Sequence, residues 1–266
     1  MSEARRTLLA PRMVLLHVLV LAVVLVLARL GVWQLARHGE AVERSQARAL
    51  NEAAGLDEVS RILAGVDLDD TGAIAAAEWR TATATGTYRP EDEVLQRGRS
   101  SGGRTGFDVL TPLDLEDGRT LLVRRGWVPF DNDLRPPVPD ALPPTGPVQV
   151  IGALERSVPQ PTSGIAQRDP DEGELDIVFN ADLGRLGPQL GGDVLPMILR
   201  LDQQLPDQPG ELPLAQPLPP ADNGPHLNYA IQWFSFALIA AGMYALWLRR
   251  RVRGDERAVS AAVSRP

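Results

Sequence analysis

The residue best placed to do chemistry is His226, in the stretch Gly224-Pro225-His226-Leu227-Asn228-Tyr229-Ala230-Ile231-Gln232-Trp233. On a helix, His226, Tyr229, Ala230 and Trp233 fall at i, i+3, i+4 and i+7 and line one face. Gly224 and Pro225 stand where helix starts prefer them. The partial positive charge of a helix N-terminus disfavours imidazolium, and neutral imidazole is the form that ligates a metal. With Tyr229 and Trp233 beside it, His226 is a candidate ligand for the iron of a flat, aromatic-walled macrocycle such as a porphyrin. The plainer alternative is that His, Tyr and Trp anchor a helix at a membrane interface. A second stretch, Leu30-Gly31-Val32-Trp33-Gln34-Leu35-Ala36-Arg37, offers Trp33, Gln34 and Arg37, with Arg37 four residues past Trp33 on the same helical side. Two hairpinned helices would build one pocket from both stretches.

Elsewhere the inventory is thin. His17 sits inside an apolar run, where an ionisable residue defaults to a functional hypothesis, and His38 follows that run. The 187 residues between His38 and His226 hold no histidine, which excludes a Ser-His-Asp arrangement and a histidine zinc site there. There is no cysteine, hence no disulfide, thiolate metal site or nucleophilic thiol. A carboxylate-pair hydrolase stays open, although no spacing singles out two acids. In Arg124-Arg125-Gly126-Trp127-Val128-Pro129, two planar guanidinium groups and an indole can clamp a carboxylate or stack on a flat ring. The alternative is a strand ending at Pro129, with Trp127 in the core and the arginines alternating between faces.

These residues need elements to hold them. Residues 13–35 and 226–248 are apolar runs of membrane-spanning length. Residues 36–75, rich in Ala, Glu and Arg, read as a stalk helix with breaks expected at Gly39 or Gly55. From 76 to 204 the texture is β. Trp79 through Thr87 alternate with period two, and further strands are expected over Val94–Arg97, Phe107–Leu113, Leu121–Val128, Val148–Leu154, Asp176–Asn180 and Val194–Leu201. A short helix is expected over 181–192. The Pro-rich stretch 135–147 reads as an exposed loop, and 205–225 as a stiff extended lead into the second span. The expected fold is therefore an α+β membrane protein, two transmembrane helices flanking a β-rich antiparallel extracytoplasmic domain.

Charge orients it. All 27 basic residues are Arg; Arg5, Arg6 and Arg12 precede the first span, and Arg249, Arg250, Arg251 and Arg253 follow the second. The positive-inside rule puts the segments 1–12 and 249–266 in the cytoplasm of a multi-pass protein of the cell membrane. Val26-Leu27-Ala28 also satisfies a small-residue cleavage rule, so a signal peptide is the alternative reading of the first run, and the middle of the chain is exported either way. Residues 36–225 carry 17 Arg against 31 Asp and Glu, a balance of −14, which argues against a nucleic-acid partner and leaves membrane lipid as the expected surroundings of the spans.

Several stretches together resemble the Surfeit locus protein 1 family: Leu30 through Arg37, Glu78-Trp79-Arg80, Gly86-Thr87-Tyr88, Gly106 through Leu113, Arg125 through Pro129, Gly152-Ala153-Leu154 and Pro225 through Trp233. The resemblance implies a non-enzymatic factor for assembling haem-copper cytochrome c oxidase. Its expected partners are the catalytic subunit and haem a synthase, and haem a is transiently bound. It puts the haem-associated histidine at His226, matches the first-span tryptophan to Trp33, and matches the family's Arg-Gly-Trp signature to Arg125, Gly126 and Trp127. Arg124 departs from the family pattern, which often has Asn there. The alternative within the same resemblance is a membrane scaffold that contacts oxidase subunits without holding haem.

Overall fold

The computed structural model describes residues 10–131, 133–162, 167–218 and 221–263, the last of these as backbone only from 255. Of the expected cytoplasmic segments, 1–9 and 264–266 lie outside the described residues. The chain divides into two compact units, one of residues 1–46 with 221–266 and one of 47–220.

The first unit is built on α1 (Pro11–Ala53) and α5 (His226–Val263). At 1.5 Å per residue α1 is about 65 Å long, roughly twice a hydrocarbon core. Both helices hold windows long and apolar enough to cross a membrane. The solvent-protected positions of α1 include Gly31, Gln34, His38, Ala41 and Ser45, alternately three and four apart, which is the 3.5-residue period of a helix seam. In α5 the seam runs through His226, Ala230, Trp233, Ala237, Ala240 and Tyr244. His17 meets Tyr244, Gly31 lies under Phe234, Gln34 bonds His226, and Ser45 donates to Asn223 Oδ1 at 2.6 Å, so the two helices form an antiparallel hairpin. A side chain at Gly31 would put its Cβ 2.8 Å from the Phe234 ring. Small residues let helix backbones approach here as they do between membrane helices. The helix runs through Gly39 without the expected break and stops before Gly55, whose φ of +84° suits a helix terminus.

The second unit is a β structure with short helices: β1 (Asp57–Glu58), α2 (Val59–Ile62), α3 (Thr71–Ala77), β2 (Thr81–Tyr88), β3 (Val94–Ser101), β4 (Arg104–Leu115), β5 (Arg119–Pro129), β6 (Pro147–Arg156), β7 (Ile177–Val178), α4 (Leu183–Leu190) and β8 (Asp193–Leu205). The last residues of α1 belong here, Arg48 lying 4.4 Å over the Trp79 ring and Asn51 donating to the Glu78 carbonyl. The pairings β2–β4, β4–β5, β5–β8, β8–β6 and β6–β2 form a closed circuit of five strands, a small Greek-key barrel. β1, β3 and β7 are appended outside the circuit.

The expected all-antiparallel sheet is therefore corrected to a mixed one, because β1–β2, β3–β7 and β5–β8 pair in parallel. Closure supplies the reason for the last. Strand directions cannot alternate all the way round a ring of odd number, so five strands require at least one parallel pair. A parallel pair in turn needs a long crossover, and β6 with α4 provides it between β5 and β8.

Side-chain alternation sorts the core. Ala82 and Ala84 of β2, Leu113 and Leu115 of β4, Leu121 and Val123 of β5, Val148, Val150 and Leu154 of β6, and Leu195, Met197 and Leu199 of β8 form one cluster. On the other side of the same strands, Leu110, Leu122 and Ile198 are covered by Leu183, Leu186 and Leu190 of α4. Two expected elements differ. Trp79 is not part of a strand but stands at φ +69° between α3 and β2, and β7 is two residues long. The Pro-rich stretch 135–147 is not wholly exposed either: Val138 and Ala141 pack with Phe107, Val109 and Val128.

Tight closure depends on glycine where strands cross closely. At Gly152, Cβ would overlap the Arg200 carbonyl, whereas Gly39, mid-helix in α1, has open space. Gly152→Ala is expected to lower stability by about 2–3 kcal/mol and Gly39→Ala to change it by under ~1 kcal/mol in the favourable direction. Thermal unfolding of the full chain in detergent checks both.

Candidate functional site

Two clusters of polar residues are candidates, one in each unit. In the hairpin, Gln34 Oε1 lies 3.0 Å from His226 Nδ1. An amide oxygen only accepts, so this bond places the ring proton on Nδ1 and leaves the Nε2 lone pair available. Gly224, at φ +67°, faces that nitrogen. A Cβ there would stand 3.3 Å from Nε2 and 3.2 Å from Cδ2, so a side chain at 224 would crowd this edge of the ring.

The other residues expected at this site are distributed differently. Trp233 is partly buried on the seam, edge-on to Phe236 at 6.1 Å. Trp33 and Tyr229 are 53% and 47% exposed. Helical phase in an antiparallel pair puts Trp33, Arg37 and Tyr229 on one flank of the hairpin. Tyr229 is thus on the flank, not on the seam with His226, Ala230 and Trp233. Arg37 pairs with Glu40 at 2.7 Å. His38, one turn beyond Gln34, keeps a buried Nδ1 without a hydrogen-bond partner among the described residues. His17 bonds the Tyr244 hydroxyl and packs edge-on to its ring at 5.9 Å.

In the barrel unit, the register of β4 on β5 slips so that Val109 pairs Gly126 and Leu110 pairs Arg124, leaving Arg125 as the extra residue of a bulge. Arg124 and Arg125 then serve two separate networks. Arg125, its side chain fully buried, approaches Glu93 Oε2 at 3.3 Å and donates to the Ala141 carbonyl and Gln208 Oε1, each at 2.7 Å. Its guanidinium lies 5.4 Å from the Tyr88 ring. Glu93 also accepts from Thr111 Oγ1 at 2.8 Å and from the Val138 N–H at 3.0 Å. Burial pushes the Glu93 carboxyl above its ordinary range, with those hydrogen bonds and Arg125 pulling it back. Burial likewise lowers Arg125 and raises the Tyr88 phenol.

Arg124 donates Nε to Glu155 at 2.9 Å and one terminal nitrogen to both Asp108 and Gln96 at 2.7 Å. Of the two readings of Arg124-Arg125, the alternating strand therefore describes the geometry, and the carboxylates the pair holds are the chain's own. Trp127 fills core, and its backbone exchanges 2.8 Å hydrogen bonds with Leu214 in both directions. Gly126, at φ +146°, makes room for the Leu214 carbonyl. Residues 208–214 of the expected linker are thus laid back on the barrel through Gln208 and Leu214. Glu93, Asp108, Glu155 and Arg200 escaped sequence reasoning because their partners lie on other strands, with no local spacing to flag them.

A small mixed barrel inserted between two apolar helices defines the class of protein. The SURF1 family model matches residues 21–238, from the first apolar helix through the barrel to the second. SURF1-like proteins of Mycobacterium bovis and Mycobacterium tuberculosis are 35% identical over 198 residues, 71% of this chain and 68% of theirs. The chain belongs to the SURF1 family, a family of cytochrome oxidase assembly factors rather than catalysts.

Removing Arg125 strands a buried carboxylate. Arg125→Met is expected to cost roughly 3–5 kcal/mol, and adding Glu93→Gln to recover much of it. Glu93 is raised from 4.5 in the folded state, so its contribution to stability is full below that pH and is lost as pH rises through the folded value. Arg125→Met raises Glu93 further, so stability of the single variant should fall more steeply above about pH 4.5 than wild type. Unfolding followed against pH, in the single and double variants, reads both effects.

Proposed function

We propose that this protein is a two-span membrane assembly factor for haem-copper cytochrome c oxidase that holds haem a as cargo at His226 and assists its transfer to the catalytic subunit. Family membership supports the assembly role. The haem reading is supported above all by the His226 geometry. Gln34 orients the ring from behind through Nδ1, as outer hydrogen bonds commonly orient ligating histidines, and Nε2 lies beside Gly224, where no side chain crowds it. Bound there, haem a would be held by Nε2 of His226. Trp33 and Tyr229 supply aromatic surface on the shared flank, Arg37 a cation, and Trp233 a wall on the seam.

The membrane reading rests on the outward surfaces of α1 and α5. Leu15, Leu19, Leu25, Leu238 and Leu246 are all more than half exposed, and helices apolar all round belong in lipid. Arginines outside both apolar runs favour cytoplasmic termini and an extracytoplasmic barrel. Haem a synthase, as source of the cargo, and the oxidase catalytic subunit, as its destination, are the proposed partners. Nothing in this role demands a bond made or broken on the macrocycle; a single reversibly bound histidine would suit a carrier that must let go.

The test is the visible spectrum of the full chain purified in detergent after coexpression with haem a synthesis. Wild type is expected to show a Soret band that His226→Ala abolishes with helix content unchanged. Gln34→Ala should retain the band with haem affinity lowered about 10- to 100-fold. A colourless wild type in the presence of haem a, or a band that persists in His226→Ala, defeats the carrier reading and leaves the scaffold role.

A further inference from the structure

Arg124 belongs to a longer ladder that crosses the strands of the barrel unit. Arg99 of β3 approaches Asp108 of β4, Nε to Oδ2, at 3.4 Å; Asp108 and Glu155 of β6 hold Arg124 of β5; and Glu155 also accepts from Arg200 of β8. Three guanidinium groups thus share two carboxylates. Arg124 and Arg200 are direct cross-strand neighbours, a like-charge pair that Glu155 bridges. The remaining cation is Arg99. Its Nε is buried without a hydrogen-bond partner among the described residues, while its side chain as a whole is 40% exposed. Burial disfavours its charge, as do Arg124 and Arg200, against the opposing pull of Asp108 and Glu155. Arg200 spends Nε on Glu155 and one terminal nitrogen on the Gln216 carbonyl at 3.4 Å, and Gln216 is held in turn by Ser101. With 40% of its side chain exposed and no hydrogen bond from its terminal nitrogens to the described residues, Arg99 is the member of the ladder whose fork an external anion can reach.

We propose that Arg99, backed by Arg200 and Arg124, forms an oxyanion-binding site on the barrel, complete only when an external carboxylate or phosphate group occupies it. The planar fork of Arg99 accepts either group through two parallel hydrogen bonds. Occupancy turns three cations against two anions into a balanced set, so the ligand is recognised by charge and by bidentate geometry together. Arg97, two residues earlier on the same hairpin, lies outside the ladder: its guanidinium stacks 5.0 Å over the Phe179 ring. It serves as the control.

The experiment is calorimetric titration, with parallel thermal unfolding, of the full chain in detergent at constant ionic strength, using inorganic phosphate, succinate and chloride as probes. Wild type is expected to bind phosphate or succinate saturably and to unfold at a higher temperature when saturated, with no response to chloride. Arg99→Gln should lose the binding and, without anion, change stability little, since it removes the repulsion from Arg124 and Arg200 together with the contact to Asp108. Arg99→Lys should keep the charge and weaken binding about tenfold through loss of the fork. Arg97→Gln should bind as wild type. Preference for phosphate assigns the site to a phosphoryl group, and preference for succinate to a carboxylate. Absence of saturable binding in wild type overturns the proposal, as does equal binding by Arg99→Gln or loss of binding in Arg97→Gln.

Discussion

Closing a ring of five strands is the constraint on which the rest of the barrel unit depends. It forces one parallel pair, and the parallel pair sets the order of everything after β5, since the chain must travel through β6 and α4 before β8 can lie beside β5. A ring this small has little interior. Hence β2 turns Ala82 and Ala84 inward, and Gly86 and Gly152 stand where a side chain would strike the backbone of the strand alongside. Composition at these positions is dictated by space, not by propensity: alanine is a poor strand former, and its use in β2 shows packing overriding the local preference.

The same closure explains why so much charge is buried in a domain with no disulfide to help it. Arg124 and Arg125 are adjacent on one strand, at a bulge, and serve different networks instead of one shared pocket. Each network joins strands remote in sequence: Glu93 to Arg125, Glu155 to Arg124 and Arg200. Such pairs add little net stability over apolar residues of similar size, because desolvation offsets most of the Coulomb gain. Their effect is on register. A strand slipped by one residue would leave Glu93 or Arg125 unpaired in the core, so wrong pairings are penalised far more than the right one is rewarded. The laying of Gln208 and Leu214 across this region extends that control to the stretch leading toward α5.

Periodicity and punctuation made the element types legible. The two apolar helices, the strands around Phe107–Leu113, Leu121–Val128, Val148–Leu154 and Val194–Leu201, and the short helix before Gly191 all follow from local pattern. Pairing direction was not legible, because parallel and antiparallel strands share the same alternation and only closure distinguishes them here. The sharing of charge was likewise hidden: nothing local to Arg99 or Glu155 announces a neighbour on the next strand. In the hairpin, helical spacing did place His226, Ala230 and Trp233 on one face. Tyr229 fell to the flank because the α5 seam steps four residues from His226 to Ala230 before it steps three to Trp233.

What separates the Arg-Gly-Trp signature from the His226 stretch is the kind of constraint each obeys. The former is packed into the chain itself: Arg125 pairs with Glu93, Gly126 clears the Leu214 carbonyl and Trp127 lies in the core, although Arg125 Nε and Trp127 Nε1 are buried without a hydrogen-bond partner among the described residues. Substitution there would be felt as lost stability. At His226 the arrangement is incomplete in itself. One ring nitrogen is committed to Gln34, and the other faces a glycine held at positive φ where a side chain would crowd the ring. The positive φ favours glycine at 224 on backbone grounds alone, and the same glycine spares the His226 ring a neighbour at 3.2 and 3.3 Å. The backbone thus fixes the glycine and Gln34 fixes the ring, which leaves Nε2 as the ring nitrogen with no hydrogen bond among the described residues.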